Sequence, residues 1–339
     1  MKNMIETFSA LGARLLGFGD DDATRAVIDS ACRANGWEVI GRACRENGWF
    51  TPADIRRAVA AVAGVMLRRD VLAEWLAPYP VPVAEPRRVL VVMAGNIPLV
   101  GFFDLLCVLV SGHGCLVKPS AKDSVLMEHV VGLLREIDPS APVRLYDGTS
   151  PVDAVIATGS DNANRYFRAH YAGIPSLLRG SRQSVAVLSG RETPEQLAGL
   201  ADDIWAYSGL GCRSVSLIFA PEGYEPALQI PPVNDKYINN YRQQRALLEM
   251  QGRPFVDLGC AVAVEQCAFP AALSRIAYAH YATLDEVVAW LAGHDGELQC
   301  VVTGCLPHSR RAGFGCAQSP ALTDYPDDRD VLAWLAALD

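Results

Sequence analysis

Several kinds of protein are excluded by what this sequence lacks. Among its ten cysteines no Cys-x-x-Cys pair occurs, so neither a structural zinc site nor a dithiol centre has its usual spacing. Basic residues are outnumbered, 30 Lys and Arg against 38 Asp and Glu, for a net charge of −8. A chain so charged has no global attraction for a phosphate backbone, and nucleic acid is not an expected partner. Long apolar runs are missing too. The longest, from Ile97 to Val110, is interrupted by Pro98, Gly101 and Asp104, and falls short of the roughly 20 apolar residues of a membrane span. No basic region followed by an apolar stretch and a small-residue cleavage site opens the sequence, so a cytoplasmic protein with no membrane partner is expected. Nothing repeats internally. Nor does a G-x-G-x-x-G fingerprint follow the first predicted strand: Gly95 has Ile97 and Val100 where the pattern needs glycine, which disfavours a standard Rossmann dehydrogenase.

What is present is an ordinary globular composition, 339 residues with 50% hydrophobic and 20% charged side chains, ample for a core. A core of that size needs no disulfides, and most of the cysteines (Cys32, Cys44, Cys107, Cys115, Cys212, Cys260, Cys267, Cys300, Cys305 and Cys316) are read as reduced thiols packed as small hydrophobes. No metal is expected.

Residues up to about 78 read as helical, with Thr51 as cap and Pro52 in the first turn of a helix bearing Ile55, Val59, Val62 and Met66 at helical spacing. A proline-rich connector runs from Tyr79 to Pro86. Beyond it strands and helices alternate: strands at 88–93, 115–118, 143–146, 152–157 and 184–188, helices at 98–110, 124–137, 162–171 and 194–207. That alternation predicts a doubly wound parallel sheet, whose ligands bind at the carboxyl ends of the strands. A second α/β lobe follows, with strands at 214–219, 261–264, 275–281 and 298–302, helices at 235–250 and 284–292, and a last helix at 330–338.

Four segments can carry chemistry. Gly95-Asn96-Ile97-Pro98 lies between a strand and a helix, where Asn96 either caps the helix or donates to a developing oxyanion. Lys118, ending the next strand in Val117-Lys118-Pro119-Ser120, either snorkels to solvent or reaches a cofactor's ribose or phosphate. Thr158-Gly159-Ser160 opens a helix, either as a plain cap or as the approach to a pyrophosphate. Tyr207-Ser208-Gly209-Leu210-Gly211-Cys212-Arg213 is the most distinctive: two glycines free the backbone to present the Cys212 thiol, and an adjoining cation favours thiolate.

In this order the segments resemble the motifs of the aldehyde dehydrogenase superfamily. Gly95-Asn96-Ile97-Pro98 looks like its W-N-F-P, 116–120 like V-V-K-P-S, 156–160 like F-T-G-S, and Gly209-Leu210-Gly211-Cys212 like G-Q-x-C. The late helix and strand from Leu284 to Val302 extend the resemblance, which is most similar to the LuxC-type acyl-CoA reductases. It implies an aldehyde dehydrogenase-like fold with a helical region at 1–85 packing on a nicotinamide-cofactor-binding domain at 86–207, a catalytic domain at 208–310 and a tail at 311–339. It also implies reduction of an acyl-CoA or acyl-protein thioester to an aldehyde through an acyl-cysteine. Cys212 and Asn96 take the catalytic roles. Lys118, Ser120, Thr158, Gly159 and Ser160 take the cofactor, NADP(H). A homo-oligomer stays open.

Two departures sharpen the expectation. Where the superfamily has a glutamate base in E-L-G-G-K, this chain has Leu178-Arg179-Gly180-Ser181-Arg182-Gln183, without a carboxylate. With no base to activate water, transfer or reduction fits better than hydrolysis to an acid. A glutamate often found three residues after the lysine is Ala121 here, with Lys122 beside it, so a 2′-phosphate is not repelled. No counterpart of E-x-F-G-P is visible. Phe102, Phe103 and Trp205 are candidates for lining an acyl tunnel, with core packing the plainer role. Two rivals remain: an aldehyde dehydrogenase that oxidises aldehyde to acid, and a nucleotide-binding protein without catalysis.

Overall fold

The computed structural model describes residues 4–18 and 30–338. The chain forms two units, Met1–Gly180 with Ala321–Asp339, and Ser181–Pro320.

In the first unit five strands form an all-parallel sheet: β1 (Arg88–Val92), β2 (Gly114–Lys118), β3 (Val143–Leu145), β4 (Ala154–Thr158) and β5 (Ser176–Arg179), ordered β3-β2-β1-β4-β5. Val89, Leu90 and Val91 of β1 are fully buried, as befits a central strand covered on both faces. The crossovers are α5 (Phe102–Val110), α6 (Ser124–Ile137) and α7 (Asp161–His170). Before β1 come α1 (Met4–Leu15), α2 (Ser30–Glu46), α3 (Pro52–Ala61) and α4 (Arg69–Leu76). Thr51 caps α3 as expected: its Oγ1 accepts from the Asp54 amide at 3.1 Å while the Asp54 carboxylate accepts from the Thr51 amide, a reciprocal capping box. Phe102 lies edge-on to Phe8 of α1, with ring centroids 6.3 Å apart, so its role is core packing.

The end of the chain returns to this unit. Trp75 Nε1 donates to Tyr325 Oη at 2.9 Å, the Tyr325 and Tyr79 hydroxyls are 2.6 Å apart, and Tyr79 donates to Asp330 at 2.7 Å. Phe103 packs between Trp75 and Tyr325. Asp330 also caps the last helix, α11 (Val331–Ala336), one residue before the helix begins. Buried His113 accepts from the Arg87 amide through Nδ1, and its Nε2 lies 3.0 Å from the Leu335 carbonyl. Residues 321–339 are therefore integral to the first unit and 311–320 belong to the second, where the resemblance implies a single tail at 311–339.

The second unit has seven strands: β6 (Gln183–Val187), β7 (Val215–Pro221), β8 (Val256–Asp257), β9 (Val262–Glu265), β10 (Arg275–Tyr281), β11 (Leu298–Thr303) and β12 (Arg311–Ala312). Their order is β12-β11-β6-β7-β10-β9-β8, parallel except for the antiparallel β8–β9 pair. Helices α8 (Pro194–Trp205), α9 (Asp235–Met250) and α10 (Leu284–Gly293) accompany it, and Val287 and Leu291 of α10 close a core with Val185, Val187, Leu217 and Phe219. Because β6 pairs with β7 and β11, the division falls at Gly180–Ser181, and not at 207. No helix among the described residues is long and apolar enough to cross a membrane.

One buried ion pair stands inside the first unit. Arg179 Nη1, at the end of β5, donates to both carboxylate oxygens of Asp104 on α5, at 2.8 and 2.7 Å. Both side chains are buried, and Arg179 Nε and Nη2 have no hydrogen-bond partner. Removing one member strands the other charge in a low-dielectric site, at a cost of about 3–5 kcal/mol. Asp104→Ala is therefore expected to lower unfolding stability by about that amount in a urea titration. The double replacement Asp104→Leu with Arg179→Met is expected to recover most of the loss; if it fares no better than Asp104→Ala, the unpaired charge is not the cause.

Candidate active site

The strand order of the first unit reverses between β1 and β4, and a ligand of a doubly wound sheet sits beyond the carboxyl ends at such a point. The structure brings Asn96, Lys118, Ser120 and Thr158-Gly159-Ser160 together along that edge. Lys118, the last residue of β2, stands opposite Val92 in register and is exposed. Ser120 follows it, half-buried, its Oγ accepting from the Lys122 amide at 3.3 Å. Thr158 ends β4. The Gly159 amide donates to the Arg179 carbonyl, and a Cβ at Gly159 would come within 2.9 Å of Ala163 Cβ, so only glycine lets α7 close on its strand. Ser160 caps α7, its Oγ accepting from the Ala163 amide at 3.3 Å. The cap reading of this turn is thus correct, and it leaves the helix's positive end at the sheet edge, where an anionic group is favoured.

The turn carrying Asn96 differs from the expected helix start. The helix begins at Phe102, not at Pro98, and its cap position is Gly101 without a side-chain cap bond. Asn96 therefore does not cap it. Residues 93–101 form a turn fixed at three points. A Cβ on Gly95 would lie 2.6 Å from Ser120 Cβ, and one on Gly101 would lie 2.4 Å from Met93 Cγ, so both positions need the bare backbone. Between them Leu99 has φ +57°, a left-handed conformation costing a non-glycine residue about 1–2 kcal/mol. Its amide donates to Asp123 Oδ2 at 2.8 Å. Burial pushes the Asp123 carboxyl well above the ordinary carboxylate range, and the Leu99 bond opposes that only in part.

In the second unit Cys212 stands on the turn that enters β7, at the amino edge of its sheet. Its side chain is exposed. Before it Tyr207, Ser208 and Gly209 are left-handed in succession, with φ of 54°, 55° and 65°. Tyr207 and Ser208 are buried and not glycine, so the chain stores strain just ahead of the thiol. The turn is braced from below. Ser184 Oγ donates to the Cys212 carbonyl at 2.9 Å, next to a register shift between β6 and β7. Gln318 Nε2 donates to Ser214 Oγ at 3.2 Å, and a Cβ at Gly211 would meet both of those side chains at 3.3–3.4 Å. Buried Asp203 accepts from the Gly315 and Ala317 amides, holding the segment that carries Gln318. Asp123, Ser184, Gln318 and Asp203 went unnoticed in the sequence. A helix-start signal marked only Asp123; the others act through contacts distant in sequence.

Cys44, Cys107, Cys115, Cys212, Cys260, Cys267, Cys300, Cys305 and Cys316 are free thiols. Burial pushes the Cys107 and Cys115 thiols up, and that of Cys260 to about 11. Trp205 is buried.

Known proteins resemble this chain in sequence and in fold. Residues 68–228 match the family model described as acyl-CoA reductase (LuxC). The long-chain acyl-protein thioester reductase of Vibrio harveyi is 29% identical over 157 residues, covering 41% of this chain and 33% of that protein. Long-chain acyl-protein thioester reductase 2 of Photobacterium leiognathi is 25% identical over 145 residues, 38% of this chain and 30% of that protein. The matched stretch thus spans about a third of each curated relative. Among solved structures, an aldehyde dehydrogenase of Mycobacterium tuberculosis complexed with NAD+ superposes with a TM-score of 0.58 at 15% identity, over 85% of this chain and 71% of the other. The chain has the aldehyde dehydrogenase-like fold, and its segment 68–228, which carries both Asn96 and Cys212, is similar to the LuxC acyl-CoA reductases.

Proposed function

We propose that this chain reduces a fatty acyl thioester to the aldehyde with NADPH, holding the acyl group on Cys212. The observation that carries the reading is Cys212 itself: an exposed thiol on a strained, glycine-flanked turn, inside the LuxC-matching segment.

The carboxyl edge of the five-stranded sheet fits a dinucleotide. An exposed cation at Lys118 and the amino end of α7, brought onto β4 by the glycine at 159, are the positive groups such a ligand needs. Lys118, Ser120, Thr158, Gly159 and Ser160 would hold it. Ala121 and Lys122 place no carboxylate beside Lys118, which supports NADPH over NADH. When bound, a reduced nicotinamide supplies the hydride for the acyl carbon.

The chain's own residues do the rest. The Cys212 thiolate attacks the thioester carbonyl, forming a carbon–sulfur bond as the electron pair moves to oxygen. The Asn96 side-chain amide and the Cys212 backbone N–H donate to that oxygen. Collapse expels the carrier thiolate, which takes up a proton, and leaves the acyl group on Cys212. After hydride addition a second collapse breaks the bond to Cys212 and frees the aldehyde. The segment Leu178 to Gln183 offers no carboxylate to activate water, and Arg179 within it is engaged by Asp104, which favours reduction over hydrolysis. Both named relatives are acyl-protein thioester reductases, so an acyl-protein is a carrier to test beside CoA.

NADPH oxidation, followed optically with acyl-CoAs from acetyl to palmitoyl and with an acylated carrier protein, is expected to accompany aldehyde formation. Cys212→Ala should abolish turnover and leave NADPH binding intact; turnover in that variant, or a free acid as product, defeats the reading. Iodoacetamide labelling mapped by peptide mass spectrometry should modify Cys212 ahead of Cys267 and Cys316, which are also exposed, and leave Cys107 and Cys115 untouched. Equal labelling of Cys212, Cys267 and Cys316 would speak for a binding protein without this chemistry.

A further inference from the structure

Asp123 directly precedes α6, where an aspartate ordinarily turns its carboxylate onto the first free amides of the helix. Here it does not: its backbone has φ −136° and ψ 21°, and its side chain makes no cap bond. The carboxyl points away from its own helix, is only 2% exposed, and accepts the amide of Leu99, 24 residues earlier. Its second oxygen, Oδ1, has no hydrogen-bond partner. A buried acid that forgoes its helix to hold one amide is a costly arrangement, and the amide it holds belongs to the strained residue of the Asn96 turn.

The surroundings form a platform for that turn. Gly95 rests on the side chains of Ser120 and Lys122, and the Lys122 carbonyl is held from beyond α2 by Asn47 Nδ2 at 3.0 Å. Asn47 is itself fixed by the Trp49 amide. The segment 120–123 therefore touches the turn on both sides of Asn96, at Gly95 and at Leu99. Without the Asp123 acceptor, Leu99 is free to relax out of the left-handed region, which rotates the backbone three residues from Asn96.

We propose that Asp123 is a positioning residue for Asn96: its bond to the Leu99 amide fixes the turn that presents the Asn96 side chain to the acyl oxygen. This rests on the role of Asn96 given under the proposed function. Asp123 touches no reacting atom.

The test is steady-state kinetics with palmitoyl-CoA and NADPH on wild type, Asn96→Ala, Asp123→Ala, Asp123→Asn and the Asn96→Ala/Asp123→Ala double variant. Asp123→Ala is expected to lower kcat by about 10- to 100-fold with KM for palmitoyl-CoA nearly unchanged, the signature of a lost transition-state contact. Asp123→Asn keeps an acceptor for the Leu99 amide and is expected to stay within about threefold of wild type. The double variant is expected to be no slower than Asn96→Ala alone, because Asp123 acts only through Asn96. An additive double variant, an Asn variant as poor as Ala, or an Ala variant with wild-type kcat overturns the proposal. If Asp123→Ala does not fold, Asp123→Glu, which leaves no hole but displaces the acceptor, takes its place under the same criteria. An inactive wild type, or full activity in Asn96→Ala, overturns the functional reading and this proposal with it. Loss in Asn96→Ala without loss in Asp123→Ala overturns this proposal alone.

Discussion

The buried pair between Asp104 and Arg179 constrains the whole five-stranded unit. It joins the helix that follows the first strand to the end of the last, so the two halves of the sheet are tied behind the edge where the candidate cofactor residues stand. The geometry is end-on, one guanidinium nitrogen serving both carboxylate oxygens, and the other two nitrogens have no hydrogen-bond partner. Such a pair adds little net stability, since desolvation consumes most of the Coulombic gain. What it imposes is placement: β5 cannot shift along β4 without uncovering a charge. The same arginine lies in the stretch Leu178 to Gln183, which carries no carboxylate, so in this chain that stretch serves architecture.

The two candidate loops use one device. Each has glycines in crowded positions, Gly95 and Gly101 where a Cβ does not fit and Gly209 and Gly211 where one would be tight, and each has non-glycine residues held in the left-handed region, Leu99 in one and Tyr207 and Ser208 in the other. Strain of this kind persists only where the surroundings over-determine it. Around Leu99 the surroundings are a buried carboxyl and the 120–123 segment. Around Cys212 they are Ser184, Ser214 and Gln318.

Much of this architecture could be read from the sequence. The helices at Ser124–Ile137 and Asp235–Met250 match the periodicity end to end, and strands rich in buried valine and leucine were found within a residue or two. The expected aldehyde dehydrogenase-like fold is the one observed. The misses have a common cause. Ser176–Arg179, Val256–Asp257 and Arg311–Ala312 are too short for any period to emerge, and only their pairing makes them strands. Helix α5 starts four residues late because Leu99 is turned by an acid distant in sequence, and the boundary moved from 207 to 180 because β6 takes its neighbours from beyond residue 210. The motif residues were visible as motifs; the side chains that brace them were not, because a lone Ser, Gln or Asp carries no pattern.

The return of residues 321–339 to the first unit has a consequence for biosynthesis. The second unit is continuous in sequence, so a ribosome delivers it entire. The first is not: its hydroxyl relay through Tyr325 and Asp330, and the contact of His113 with Leu335, wait until the whole of the second unit has been made. Until then the nascent first unit exposes the apolar surface that the last helix will cover, and that interval is when a chaperone would find it.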